Sequence, residues 1–145
     1  YKALVSAGNK LPMQGGVYAT VSDADKAEIL PIVRDLHEMG FAIYATKGTS
    51  TYLRSNGVPV TTVYKVAENV APDALGLMRR GEINLIINTP TYSSGSRRDG
   101  YMMRRLAVEL EIPFLTTVHG AKATVCAIKR ARQGDLKVRD IRSYH

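Results

Sequence analysis

The 145-residue chain has one cysteine, Cys126. A single thiol excludes an internal disulfide and any zinc site built on several thiolates. It fits a reducing compartment, with the cytoplasm as the default. No apolar stretch approaches the roughly 18 residues that a membrane-spanning helix needs. The N-terminus lacks a basic segment followed by an apolar core, so no signal peptide is read there. It also lacks a starting Met, and Tyr1-Lys2-Ala3-Leu4-Val5 reads like the tail of a helix in a chain cut from something longer. No pair of histidines has metal-ligand spacing. Neither the phosphate-binding loop of nucleoside triphosphatases nor the dinucleotide glycine fingerprint is present. Acid is in deficit: 20 Lys and Arg against 13 Asp and Glu leave a net charge of +7. That excess attracts phosphate-bearing partners, but it does not separate nucleic acid, nucleotide and acidic protein.

What remains is the balance of an ordinary globular protein, 45% hydrophobic and 23% charged, which excludes wholesale disorder. The length suits one domain, able to bury a core without staples. Val17 to Val21 reads as a strand, followed by a capping-box-like Ser22-Asp23-Ala24-Asp25. Ile29, Ile32, Val33 and Leu36 follow helical spacing up to Gly40, and Pro31 predicts a kink or a division into two pieces. Phe41 to Ala45 is a second strand, and the turn Thr46-Lys47-Gly48-Thr49 leads into a short helix ending near Asn56-Gly57. A third strand spans Val58 to Val63, and Pro72 opens a helix that closes at Gly81. The continuous run Leu85-Ile86-Ile87 predicts a central strand buried on both faces. Thr89 to Arg98 reads as a mobile Ser/Gly/Thr-rich loop and Asp99 to Glu111 as a helix. Phe114 to Thr116 is the fifth strand, and Ala121 to Arg132 is a last helix closed by Gln133-Gly134. The tail from Asp135 is a short strand or is simply docked. Alternating units of this kind imply an α/β/α sandwich around a five-stranded, mainly parallel sheet, joined by right-handed crossovers.

Ligands of such sheets bind outside the carboxyl ends of the strands. Read in turn, those ends carry Thr20, Thr46-Lys47-Gly48-Thr49, Lys65, Asn88-Thr89 and Thr116-Thr117, with Lys26 in the first turn of the following helix. Hydroxyls, amides and ammonium groups therefore gather on one rim, where helix N-termini add unpaired N–H groups. This is the composition of a phosphate pocket. Each position taken alone also reads as a cap or turn former; the joint occurrence favours a ligand. The pairs Arg79-Arg80, Arg97-Arg98, Arg104-Arg105 and Lys129-Arg130 read as solvated helix faces or a contact with a neighbouring domain. They lack the interleaved aromatics of nucleic-acid readers. His119, after the fifth strand, reads as an acid–base group or, more commonly for a loop His, as a helix cap; Cys126 reads as core. Asp73, the best-placed acid near the site, reads as a base or, more commonly after Pro72, as a first-turn acid favouring the helix dipole.

Ala45-Thr46-Lys47-Gly48-Thr49, Lys65-Val66, Leu85-Ile86-Ile87-Asn88-Thr89 and Arg104-Arg105, in that order and spacing, resemble the methylglyoxal-synthase-like domain family. The likeness covers about Gly15 to Arg132. It is strongest to the regulatory branch found at the C-terminus of the carbamoyl-phosphate synthase large subunit. The resemblance implies a Rossmann-like topology and a division into a linker from a preceding synthetase domain (1–14), the domain itself (15–134) and a tail (135–145). It further implies an allosteric module that binds UMP or IMP, with ornithine and phosphoribosyl pyrophosphate as further effectors, and that has no catalytic residue, metal or cofactor of its own. By match of position the phosphate would meet Lys26, Thr46, Thr49, Lys65, Asn88 and Thr89, with Thr20 beside them. Thr116 matches a position associated with ornithine. Pro90 stands where some members carry another Thr. The parent enzyme would use ATP with Mg or Mn, bicarbonate and glutamine-derived ammonia from a glutaminase small subunit, serving arginine and pyrimidine synthesis. Neither membrane nor nucleic acid is an expected partner. The alternative within the family is a lyase acting on dihydroxyacetone phosphate. Its two motif aspartates have no clear counterpart here: the corresponding stretches read Asn69-Val70-Ala71-Pro72-Asp73 and Asn88-Thr89-Pro90.

Overall fold

The computed structural model describes residues 11–63, 74–89 and 94–143, with the side chains of 94–100 and 134–143 left out. In chain order the elements are β1 (Gly16–Thr20), a 3-10 turn (Asp23–Asp25), α1 (Lys26–Glu38), β2 (Ala42–Ala45), α2 (Lys47–Ser55) and β3 (Thr61–Thr62). After these come α3 (Ala74–Arg79), β4 (Leu85–Asn88), α4 (Ser94–Leu110), β5 (Phe114–Leu115) and α5 (Val118–Ser143). The five strands form one sheet in the order β3-β2-β1-β4-β5, and every neighbouring pair is parallel.

Alternating side chains along the strands divide the core into two layers. Val17, Ala19, Leu85 and Ile87 face a cluster completed by Ile29, Val33 and Leu36 of α1, Leu53 of α2, and Val125 and Ile128 of α5. Tyr18 and Ile86 face the opposite cluster, completed by Leu75 and Met78 of α3 and Met103 and Ala107 of α4. Leu85, Ile86 and Ile87 are each fully buried, as expected of an interior parallel strand. Chain direction reverses across the sheet after β3, which places the topological switch point between β1 and β4. There the register pairs Thr20 with Asn88.

The far end of β1 is set by close backbone approach. Gly16 donates its N–H to the Asn84 side chain at 3.1 Å and accepts from the Asn84 N–H at 2.8 Å. A Cβ on Gly16 would lie 2.0 Å from the carbonyl oxygen of Glu82. Gly40, Gly57 and Gly81 end their helices at positive φ, as the sequence pattern predicts.

Several boundaries differ from the sequence reading. Helix α1 runs unbroken through Pro31. Pro31 and Ala27 are both exposed, so water can serve the carbonyl that lost its donor. Helix α4 begins at Ser94, so part of the stretch read as a loop up to Arg98 is helical; Ser and Gly are tolerated in a first turn. The last helix starts at Val118 and continues through Gln133-Gly134 to Ser143. An internal glycine costs a helix only about 1 kcal/mol, and no proline follows to stop it. Strand β3 is two residues long, because Pro59 has no N–H to pair. Cys126 is exposed: it is one position out of phase with Val125 and Ile128, which face the core. Among the described residues, no helix is long and apolar enough to cross a membrane.

Candidate functional site at the switch point

The carboxyl ends of β1, β2 and β4 are joined by side-chain hydroxyls. Thr46, after β2, donates to the Thr20 hydroxyl at 3.1 Å. Thr49, in the first turn of α2, accepts the Val21 N–H at 3.3 Å. Thr89, after β4, accepts the Ser22 N–H at 2.8 Å and returns its own N–H to the Thr20 carbonyl at 3.1 Å. The loop after β1 is therefore the hub on which the other two tips converge. Thr49 and Thr89 are almost fully buried, at 2% and 1% exposure. Each spends an acceptor on a backbone N–H, and among the described residues neither hydroxyl donates to a protein acceptor.

Helix α2 begins at the same place. Thr46 is its N-cap but makes no side-chain capping bond, and the first intrahelical bond runs from the Ser50 N–H to the Thr46 carbonyl. Among the described residues, no acceptor faces the N–H groups of Lys47, Gly48 and Thr49, the orphan donors of a helix start. Among the described residues, nothing lies within 4 Å of where a Gly48 Cβ would stand. Asn88 is half-buried, and among the described residues its amide has no protein partner. These donors, with the positive end of the α2 dipole, favour an oxyanion.

Lys26 is half-buried, and its ammonium is already engaged. It donates to the Val21 carbonyl at 3.4 Å and pairs with the Asp23 carboxylate. The Lys26 hydrogen bond and charge hold the Asp23 carboxyl below its ordinary value, against a small opposing effect of desolvation. The Ser22 hydroxyl donates to Asp25 at 2.7 Å. The capping-box stretch therefore works through side chain to side chain bonds, and no side chain caps the 3-10 turn. Sequence reasoning missed Ser22 and Asp23 as members of this rim; the acids within four residues of Lys26 were the available signal.

The structure thus gathers Thr20, Lys26, Thr46, Thr49, Asn88 and Thr89. Lys65, Asp73 and Pro90 lie outside the described residues. Thr116 follows β5, on the side of β4 away from β1, and no hydrogen bond among the described residues ties it to the cluster. Its neighbour Thr117 caps α5 by accepting the Gly120 N–H at 2.9 Å, the role the sequence reading assigned to His119. His119 instead lies inside the first turn of α5, exposed. Some of the basic residues have structural work. Arg104 sits over the Phe114 ring at 5.2 Å, Lys129 pairs with Asp35 of α1 at 2.8 Å, and Arg132 donates to the Met39 carbonyl at 2.8 Å. Among the described residues, no three acidic, His or Cys side chains cluster to hold a metal.

The class defined by this architecture is a doubly wound α/β domain with a donor-rich rim at its switch point. A family model described as MGS-like domain matches residues 28–116, more than half of the chain, and the chain belongs to that family. It is 49% identical over 140 residues to the carbamoyl phosphate synthase large chain, C-terminal section, of Methanocaldococcus jannaschii, covering 95% of this chain and 22% of that protein. The corresponding section from Methanopyrus kandleri is 43% identical across the whole chain, which spans 27% of it. The large chain from Methanothrix thermoacetophila is 46% identical, and this chain spans 13% of its length. The chain therefore corresponds to a small part of each relative. A solved structure, that of ForH, superposes with a TM-score of 0.55 at 17% identity, covering 82% of this chain and 80% of that one; this likeness concerns the fold alone.

Proposed function

We propose that the domain is the regulatory module of a carbamoyl phosphate synthase large chain and binds a nucleotide effector of the UMP or IMP type through its phosphate. The observation that carries this reading is the rim itself. The hydroxyls of Thr49 and Thr89 both meet the loop after β1, at 3.3 and 2.8 Å, and among the described residues no acceptor meets the N–H groups of Lys47, Gly48 and Thr49 at the start of α2. A phosphate held there would accept from groups on three strand tips at once. Thr89 links the loop after β1 to the segment leading into α4, so phosphate contact would draw these parts together and shift how α4 meets the rest of the large chain. Coupling of this kind is a free energy shared between two sites. In this proposal, ATP with Mg or Mn, and ammonia delivered from glutamine by a small subunit, are handled elsewhere in the parent enzyme. Carbamoyl phosphate for arginine and pyrimidine synthesis is its product. The lyase alternative draws no support from the rim, whose described carboxylates, Asp23 and Asp25, are occupied with Lys26 and Ser22.

Calorimetric titration of the 145-residue chain tests this reading. UMP or IMP should bind with saturation, uridine and inosine should not, and dihydroxyacetone phosphate should pass through unchanged. Turnover of the triose phosphate, or equal affinity for nucleoside and nucleotide, would remove it. Ornithine and phosphoribosyl pyrophosphate complete the effector panel.

A further inference from the structure

Asp23 is 98% exposed at its side chain, yet its carboxylate is committed to Lys26, whose side chain is only 14% exposed. An exposed acid usually gains little from such a pair, and solvent could serve it equally well. The partner is unusual in position: Lys26 opens α1 directly behind the hub loop, and its other acceptor is the carbonyl of Val21. The N–H of that same residue rests on Thr49. The second acid of the turn, Asp25, accepts from the Ser22 hydroxyl at 2.7 Å, so the two carboxylates have separate partners.

We infer that Asp23 is an internal counter-anion for the rim, a positioning residue that occupies the Lys26 ammonium and that an incoming phosphate must displace. The inference rests on the phosphate-binding reading above. In the ligand-free domain the carboxylate keeps Lys26 folded against the hub loop and neutralises its charge. A phosphate dianion carries more charge and more acceptor oxygens, so it replaces one monodentate carboxylate at Lys26. Asp23, already almost wholly in water, swings out without leaving a buried charge behind. Affinity for the phosphate is then set partly by the strength of the pair it breaks, which selects dianions over singly charged carboxylates.

The test is a double-mutant cycle read by calorimetry with UMP at low ionic strength. Asp23→Asn should bind UMP about three- to fivefold more tightly than the parent chain, the range of a broken surface pair. In a Lys26→Met background the same substitution should leave affinity unchanged, and Asp23→Glu should behave as the parent chain does. A second readout is the Asp23 carboxyl carbon shift, which should move toward that of an unpaired carboxylate when UMP saturates the domain. Equal gains in both backgrounds would reduce Asp23 to a general contribution to surface charge and overturn the inference, as would no gain at all; either result leaves nucleotide binding intact. Absence of UMP binding in the parent chain and in Asp23→Asn alike would sink the phosphate reading itself, and this inference with it.

Discussion

The Thr49→Val substitution is expected to weaken UMP binding by about tenfold to a hundredfold, the effect of losing a hydrogen bond to a charged group. The same change should lower stability by about 1–3 kcal/mol, because it leaves a buried N–H without its acceptor. That N–H belongs to Val21, itself only 3% exposed, and the Thr49 hydroxyl is its partner at 3.3 Å. Valine preserves the shape and removes the oxygen, so packing should not account for either loss. Thr49→Ser, which keeps the hydroxyl, should retain most of both properties. Calorimetry and urea unfolding on the same preparations check the pair of effects. Full-strength UMP binding by Thr49→Val would remove Thr49 from the site.

Gly16→Ala should instead strike stability alone. An added Cβ would stand 2.0 Å from the Glu82 carbonyl oxygen and 2.8 Å from the Tyr44 ring. A backbone oxygen cannot rotate aside as a side chain can. Overpacking of a tight site costs about 1–3 kcal/mol, occasionally more, and a clash with backbone belongs at the upper end. Position 16 begins β1, at the opposite end of the strand from Thr20. The molecules that remain folded should therefore bind UMP as before. Denaturant unfolding should show the loss, and a titration corrected for folded fraction should show unchanged affinity. If the variant is as stable as the parent, the approach of β1 to the Glu82 carbonyl is looser than described.

Much of this architecture is legible in the residues. Leu85-Ile86-Ile87 announces a strand buried on both faces, and Gly40, Gly57 and Gly81 mark helix ends through the φ they permit. The rim follows from reading strand tips in order, since a parallel sheet must place them all on one edge. Local pattern could not supply the pairing among those tips. Ser22 and Thr89 are separated by 67 positions and Val21 and Thr49 by 28; which hydroxyl meets which N–H depends on strand order, not on neighbouring residues. The same limit explains Asp23 and Lys26. Read as a capping box, the acids serve a helix terminus; in three dimensions one of them holds the ammonium beside the rim. Composition misled at the start of α4, where Ser and Gly look like loop but continue into a helix. It misled again at Gly134, where a glycine without a following proline did not end α5.

A bound oxyanion is expected to rest on the start of α2 and the hydroxyls around it. Amide chemical shifts recorded while UMP is added report on those N–H groups directly. Lys47, Gly48 and Thr49 should show the largest shifts, with Val21, Ser22 and Thr89 following at the same midpoint. If those amides stay in place while UMP binds, or if the shifts collect at the opposite end of the sheet near Gly16 and Asn84, the phosphate lies elsewhere and the proposed rim is not its site.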